Sequence, residues 1–273
     1  MKKRAKKYSI KLILFLVSLI YVIPVWMVLV NSLKASADAN MMGIGLPIDG
    51  VFHWENYLEV IEAGGIVRAF FNGIIESFSS VVLIIFAASA AAFIIARENS
   101  KLCNGVFLLF IMGLIVPVAY IPTYLVLDRL NLLDTYAGII LIFTTYGLPQ
   151  SIFLYVQFIK TIPRELDEAA VLDGSTSFQL YRKIIFPLLK PITATVFILS
   201  FVGAWNDVMI PMFFVNGNKW ALPLTVYNFY GGYMKSWNLI FADIIITIAP
   251  LIIIYLAAQK QIVEGMTAGA VKG

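Results

Sequence analysis

The chain has 273 residues, of which 60% are hydrophobic and only 13% charged, and it carries a formal net charge of +4. Its mean hydropathy of +0.88 leaves too little polar surface to cover a water-soluble core of this size. These figures exclude an ordinary soluble domain and direct the apolar surface into lipid.

A helix crosses the hydrocarbon layer with about 20 mostly apolar residues. Six runs of that kind, at 10–30, 70–96, 102–127, 135–158, 192–215 and 238–258, predict an all-α membrane protein with six transmembrane helices. They must be helices, because lipid offers backbone N–H and C=O groups no partner. The transmembrane domain then covers 10–258, between a basic N-terminal segment at 1–9 and a tail at 259–273.

Basic residues orient such a chain, since Lys and Arg stay on the cytoplasmic side of short loops. Placing the basic N-terminus inside assigns 15 of the 20 Lys and Arg to cytoplasmic segments, at 2–11, 97–101, 160–190, Lys260 and Lys272. Only Lys34, Arg68, Arg129, Lys219 and Lys235 fall outside. Six crossings put both termini in the cytoplasm. The positive charge is therefore a topology feature and points to no nucleic-acid partner. A basic start, an apolar run and Ala35-Ser36-Ala37 also imitate a cleavable secretory signal. The run, however, spans about 20 residues, against about 7 to 15 for a signal's apolar region.

The only cysteine, Cys103, rules out a disulfide within the chain and a cysteine metal site. The only histidine, His53, falls in the first outer loop and reads as a solvated side chain. No catalytic set and no metal site is therefore expected. The links at 97–101 and 128–134 are short and structural. Three longer connections, an outer one at 31–69, an inner one at 159–191 and an outer one at 216–237, are candidate docking sites. Pro24, Pro117, Pro122, Pro149, Pro211 and Pro250 all fall inside predicted spans. They read either as hinges or as ordinary proline use in a bilayer. No internal repeat supports an inverted-repeat secondary transporter.

The inner segment predicts two short helices. Thr161 is a candidate cap for the first, Pro163 suits its early turn, Glu165, Asp167 and Glu168 favour its positive end, and Gly174 supplies a left-handed stop. The second runs over about 178–186, with Ser177 as cap, Arg182 and Lys183 near its negative end, and Pro187 as terminator. Helices of about ten residues are marginal alone, so the unit must dock. The small residues Ala169 and Ala170 allow close approach, and Leu166, Leu172, Phe178, Tyr181 and Ile185 offer apolar contacts to a partner or to the spans.

Glu168-Ala169-Ala170, then Gly174, Ile184, Phe186 and Pro187 at fixed spacing, resembles the hallmark of the binding-protein-dependent ABC importer permeases. Phe186 stands where that family has leucine, an apolar exchange. Trp205-Asn206-Asp207 and the tail at 265–273 are similar to the maltose-transporter-type sugar permeases. The resemblance implies one transmembrane subunit of an ATP-driven sugar importer in a bacterial or archaeal cytoplasmic membrane. It implies three kinds of protein partner: a homologous second permease, a dimer of ABC ATPases and an external solute-binding protein. Glu168, Ala169, Ala170, Asp173, Gly174, Ile184 and Pro187 would form the coupling contact with the ATPase. The chain has no GxxxxGK[ST] phosphate loop, so ATP hydrolysis is expected in the separate ATPase, with no cofactor bound here. The alternatives are the same machine for a non-sugar solute, and a self-contained channel or secondary transporter, which would need no docking loop.

An acidic group at the centre of a span costs roughly 2.5 to 3.5 kcal/mol on insertion scales, so each needs a reason. Asp207 and Asp243 lie at similar predicted depths, roughly 8 to 10 Å below the outer surface at the helical rise. Arg68, Asn72, Glu76 and Ser80 recur every fourth residue and form one stripe on the second span. Asn72, Glu76, Asn206, Asp207 and Asp243 are candidates to bind sugar hydroxyls, with Trp205 covering an apolar sugar face. Equally, they satisfy one another, line water or meet the partner permease.

Overall fold

The computed structural model describes residues 2–230 and 236–270, with side chains at 11, 14–230, 236–256 and 259. Among the described residues every regular element is a helix, and none is a strand. In chain order the elements are α1 (Lys2–Asn31), α2 (Ser36–Ala39), α3 (Glu55–Ala63), α4 (Ile66–Arg97), α5 (Lys101–Gly113), α6 (Tyr120–Arg129) and α7 (Tyr136–Ile159). There follow α8 (Glu165–Leu172), α9 (Ser177–Leu180), a π-helical turn (Tyr181–Ile185), α10 (Phe186–Leu188), α11 (Lys190–Asn206), α12 (Met209–Phe214), α13 (Leu222–Thr225) and α14 (Trp237–Ala270). Lys235 and the last three residues of the tail, Lys272 among them, lie outside the described residues.

Among the described residues four helices are long and apolar enough to cross a membrane: Leu14–Asn31 within α1, α4, α7, and Trp237–Leu256 within α14. The other two predicted spans are interrupted. The run at 102–127 divides into α5 and α6 around a non-helical stretch at 114–119. The run at 192–215 ends as α11 at Asn206, where Asp207 turns extended before α12 begins. Prolines sit differently in the two cases. Pro24, Pro149 and Pro250 lie inside continuous helices. Pro117 lies in the break, while Pro122 and Pro211 occupy the first turns of α6 and α12, where no intrahelical N–H bond is needed.

The chain forms two compact units, one from Met1–Ala69 with Leu222–Pro250, the other from Phe70–Ala221 with Leu251–Gly273. The first is tied by buried amides. Asn31 donates to the carbonyls of Met27 (2.7 Å) and Gly43 (2.8 Å), and Asn56 donates to those of Ser32 (2.9 Å) and Lys34 (3.0 Å). Asn238 at the start of α14 donates to Asn56 Oδ1 at 2.8 Å, so the outer segment is fixed to that helix. Lys34, almost fully buried, meets Asp38 at 3.5 Å and the Gly43 carbonyl at 3.3 Å. Each buried amide is thus paired on its N–H side, as burial away from water requires.

In the second unit α7 is the central packing element, with Ile139, Ile142, Phe143, Ile152, Tyr155, Val156 and Ile159 buried. Thr135 caps it by accepting the Gly138 N–H at 3.0 Å, and Ser100 caps α5 by accepting from Cys103 at 3.1 Å. A Cβ on Gly147 would fall 2.4 Å from Ile84 Cδ1, so glycine allows α7 to approach α4. At the far end Asp134, in left-handed backbone (φ 54°), accepts from the Asn216 N–H (3.0 Å), the Asn216 side-chain amide and Lys219 Nζ (3.0 Å). Those bonds, the Asn216 N–H first and Lys219 second, hold the Asp134 carboxyl below its usual range.

His53 is not a freely solvated side chain. Its Nδ1 lies 2.5 Å from Glu55 Oε1 and its Nε2 2.8 Å from Asp49 Oδ2. Hydrogen bonds to Asp49 first, then to Glu55, raise its pKa above 6.5. A raised value means that the bridge stabilises the fold fully below the unfolded pKa and is lost as pH rises through the folded one. The single histidine should therefore titrate above pH 6.5 by ¹⁵N NMR. Replacing both Asp49→Asn and Glu55→Gln should return the midpoint to about that value; an unmoved midpoint would contradict the bridge.

Candidate functional site

The segment between α7 and α11 folds as a helical hairpin, and its local construction differs from the expectation in detail. Thr161 does not cap α8; its hydroxyl donates to the Phe158 carbonyl at 2.8 Å and so closes α7. Helix α8 starts after Arg164, with Pro163 just before it rather than in its first turn. Its end follows the expected stop. Gly174 is left-handed (φ 77°), Ser175 N–H reaches the Ala170 carbonyl at 2.9 Å and Gly174 N–H the Val171 carbonyl at 3.0 Å. These are the paired bonds of a Schellman ending. Thr176, not Ser177, caps α9, in a reciprocal capping box with Gln179.

Pro187 does not terminate the second helix. The helical run Ser177–Leu188 passes through it, and bends by 75° at Leu189 into α11. The π-helical turn before it explains the tolerance, because the Phe186 N–H bonds back five residues to the Tyr181 carbonyl. This wider turn relieves the clash a proline ring makes in a regular helix.

The two alanines separate. Ala170 is buried in the core cluster with Ala88, Ala92, Tyr155, Ile159, Leu180 and Ile185, whereas Ala169 faces out. Ile185 is buried and Tyr181 half-buried, so those side chains pack back on the helices. The outward surface carries Leu166, Val171, Leu172 (88% exposed) and Phe178 (66% exposed), with Glu168, Asp173 and Gly174 also exposed. Ile184 is half-buried and Pro187 exposed.

The hairpin is held by α4, through residues the sequence reading had not singled out. Arg97 at the end of α4 places Nε 2.7 Å from Asp167 Oδ2 and donates from Nη2 to Oδ1 at 3.3 Å and from Nη1 to the Ile162 carbonyl at 3.1 Å. In return Arg164 donates to the Arg97 carbonyl at 3.4 Å. Two turns earlier the hydroxyls of Ser89 and Tyr181 lie 2.7 Å apart, and the Phe93 and Tyr181 rings are 5.6 Å apart. Phe86 stacks on Phe186 at 6.0 Å. An arginine one residue past an apolar run, with an aspartate in the first turn of the hairpin, was the available clue.

Among the candidate membrane residues, Asp207 lines a cavity. That cavity, about 220 Å³, lies within the second unit between α4, α7, α11 and the break at Val118. Tyr146, Gln150, Ser200 and Asp207 supply its polar groups, and Gly203 faces open space. Asp207 Oδ1 accepts the Ile210 N–H at 2.7 Å, so the same carboxylate caps α12. Tyr146 Oη accepts the Ala119 N–H at 3.3 Å, serving the backbone freed by the break. Ser200 lies seven residues before Asp207, two helical turns away, and that spacing was legible in the sequence.

The other candidates are placed elsewhere. Trp205 is 1% exposed, its ring against Gly73, Phe70 and Phe201, which leaves no face open to a solute. Asn72 is buried as a rivet: it donates to the carbonyls of Asn218 and Trp220 at 3.0 Å each and accepts from Tyr136 at 2.7 Å. Glu76 is 1% exposed, and Asp243 is fully buried with Thr225 Oγ1 at 2.8 Å. Asn206 is exposed beside Asp207.

Comparison with known proteins agrees with this architecture. Residues 63–268 match the family described as "Binding-protein-dependent transport system inner membrane component". The multiple sugar-binding transport system permease protein MsmG of Streptococcus mutans is 37% identical over 100% of both chains. The melibiose/raffinose/stachyose import permease protein MelC of Bacillus subtilis is also 37% identical, over 99% of this chain and 100% of its own. A chain from the crystal structure of a bacterial ABC transporter involved in the import of the acidic polysaccharide alginate shares the fold. Its TM-score is 0.80 at 22% identity, over 95% of this chain and 97% of that one. This chain belongs to the family of binding-protein-dependent transport system inner membrane components.

Proposed function

We propose that this membrane subunit of a binding-protein-dependent importer carries a sugar, and that the α8–α10 hairpin is where a separate ATPase dimer drives it. The observation that carries the proposal is the hairpin itself: an apolar outward tip at Leu172 and Phe178, anchored through Arg97 to a long membrane helix. A chain without a phosphate loop receives its energy through contact, and such a tip fits a cleft in the ATPase. The partners are a homologous second permease, the ATPase dimer and an external solute-binding protein. The protein sits in a prokaryotic cytoplasmic membrane with both termini inside. The names of MsmG and MelC support sugar as cargo.

Six crossings follow when α5 with α6, and α11 with α12, each act as one interrupted span. At 1.5 Å per residue, α5 and α6 extend roughly 20 and 15 Å, which puts the break at 114–119 near mid-membrane. Non-helical backbone at that depth is tolerated only in protein or against water. Ile115 and Val116 are nevertheless exposed on this chain. The break therefore faces the aqueous path or the second permease, and the cavity beside it, with Gln150, Ser200 and Asp207, is the polar wall of that path.

Two substitutions separate the roles. Burying one leucine stabilises a contact by about 1.5 to 3 kcal/mol. Leu172→Arg should therefore weaken co-purification with the ATPase by about tenfold or more while membrane insertion persists. Full retention of the ATPase would remove the hairpin from the contact. Gly203→Leu is built into open space; it should fill the cavity and abolish uptake of raffinose in vesicles while the ATPase stays bound. Undiminished uptake would take the cavity off the path, and uptake that needs no ATP would favour a self-contained channel.

A further inference from the structure

Resting on the reading of the hairpin as the ATPase contact, we propose that Arg97 is a positioning residue that locks the hairpin to α4, making α4 the helix that receives the ATPase's stroke. Three observations carry this. Phe86, Ser89, Phe93 and Arg97 follow one another at spacings of three, four and four residues, so they line a single face of α4. Every one of them touches the hairpin, at Phe186, Tyr181, Tyr181 and Asp167 in turn.

The second observation is directional. The hairpin also packs on α7 through the apolar cluster of Tyr155, Val156, Ile159, Ala170 and Leu180. Apolar packing is non-directional and lets surfaces slide. Among the described residues, each side-chain hydrogen bond from 162–188 to another helix ends on α4. The guanidinium lies against both oxygens of Asp167, with one hydrogen bond from Nη2 to Oδ1 and an ion-pair approach of Nε to Oδ2, while Nη1 holds the Ile162 carbonyl, so three separate points fix the hairpin on α4. The pair is largely enclosed, at 12% and 18% side-chain exposure, so solvent screens it little.

The third observation concerns the opposite junction. The hairpin runs into α11 through a π-helical turn, Pro187 and a 75° bend. A helix interrupted in that way is the compliant side. A push on the tip at Leu172 therefore goes stiffly into α4 and softly into α11.

Electron–electron resonance on the complete importer in nanodiscs tests this. In a Cys103→Ala background, nitroxides are placed at Glu165→Cys, exposed on α8 away from the proposed ATPase contact, and at Leu83→Cys on the exposed side of α4. Distances are read with and without Mg²⁺ and AMP-PNP. With the lock intact the distance should stay narrow and unchanged when nucleotide is added. In Asp167→Asn it should broaden and shift with nucleotide, and sugar-independent ATP hydrolysis should rise several-fold. The exchange Arg97→Asp with Asp167→Arg should restore both, which a merely structural loss would not allow. A nucleotide-dependent shift in the unaltered chain, or none in Asp167→Asn, overturns the lock. A complex that holds no ATPase, or an ATPase that traps no radiolabelled AMP-PNP, contradicts the proposed function instead, and the lock with it.

Discussion

In lipid a backbone N–H or C=O has no partner except the protein, and leaving one unpaired costs on the order of several kcal/mol. That constraint organises the molecule. Helices α4 and α7 answer it by running unbroken. Each interruption elsewhere has a nearby group that answers for the freed backbone: Tyr146 Oη for the Ala119 N–H, the Asp207 carboxylate for the Ile210 N–H, and a five-residue hydrogen bond ahead of Pro187. Two of these three compensations lie on the cavity, so polar side chains concentrate where the backbone is irregular. Cavity polarity and broken helices are thus one feature seen from two sides, since a polar side chain at membrane depth and an open backbone stretch both need the same wet or protein-covered environment.

Of the continuous helices α7 was legible almost to the residue, 135–158 against Tyr136–Ile159, whereas α1 begins at Lys2 rather than 10 and α14 runs on to Ala270 rather than 258. The broken ones were not, because hydropathy sums side-chain character over a window and is blind to the backbone. Leu114, Ile115 and Val116 are as apolar in the break as in a helix. Proline gave only half the information. Pro117, Pro122 and Pro211 mark interruptions, yet Pro149 sits within α7, its ring against Gly113, where an added Cβ would fall 3.1 Å from Pro149 Cγ.

The hairpin was the most legible part of the site, since Gly174 and the acidic first turn have local causes. The cap of α9 was displaced by one residue where chemistry is degenerate: Thr176 and Ser177 are equally good acceptors, and Gln179 decides between them by returning a bond to the Thr176 N–H. Trp205 misled for a similar reason. An indole beside Asn206 and Asp207 suits a sugar face, but it suits Gly73 better, where the missing side chain leaves room for the ring at van der Waals distance. For the anchor to α4 the sequence offered the two charges but not their pairing, because they stand 70 positions apart.

Helix α8 shows how far local and long-range terms depend on each other here. Its eight residues are too few to hold a helix in water. Asp167 in its first turn complements the helix dipole and at the same time takes the guanidinium of Arg97, so one carboxylate serves both the helix start and its attachment. Ala170, three residues on and so on the same face, gains by burial in the core cluster, and Gly174 closes the last turn. The outward face is left free of structural duty. Leu172 and Phe178 can remain exposed without weakening the fold, because everything that keeps α8 helical lies on its other side.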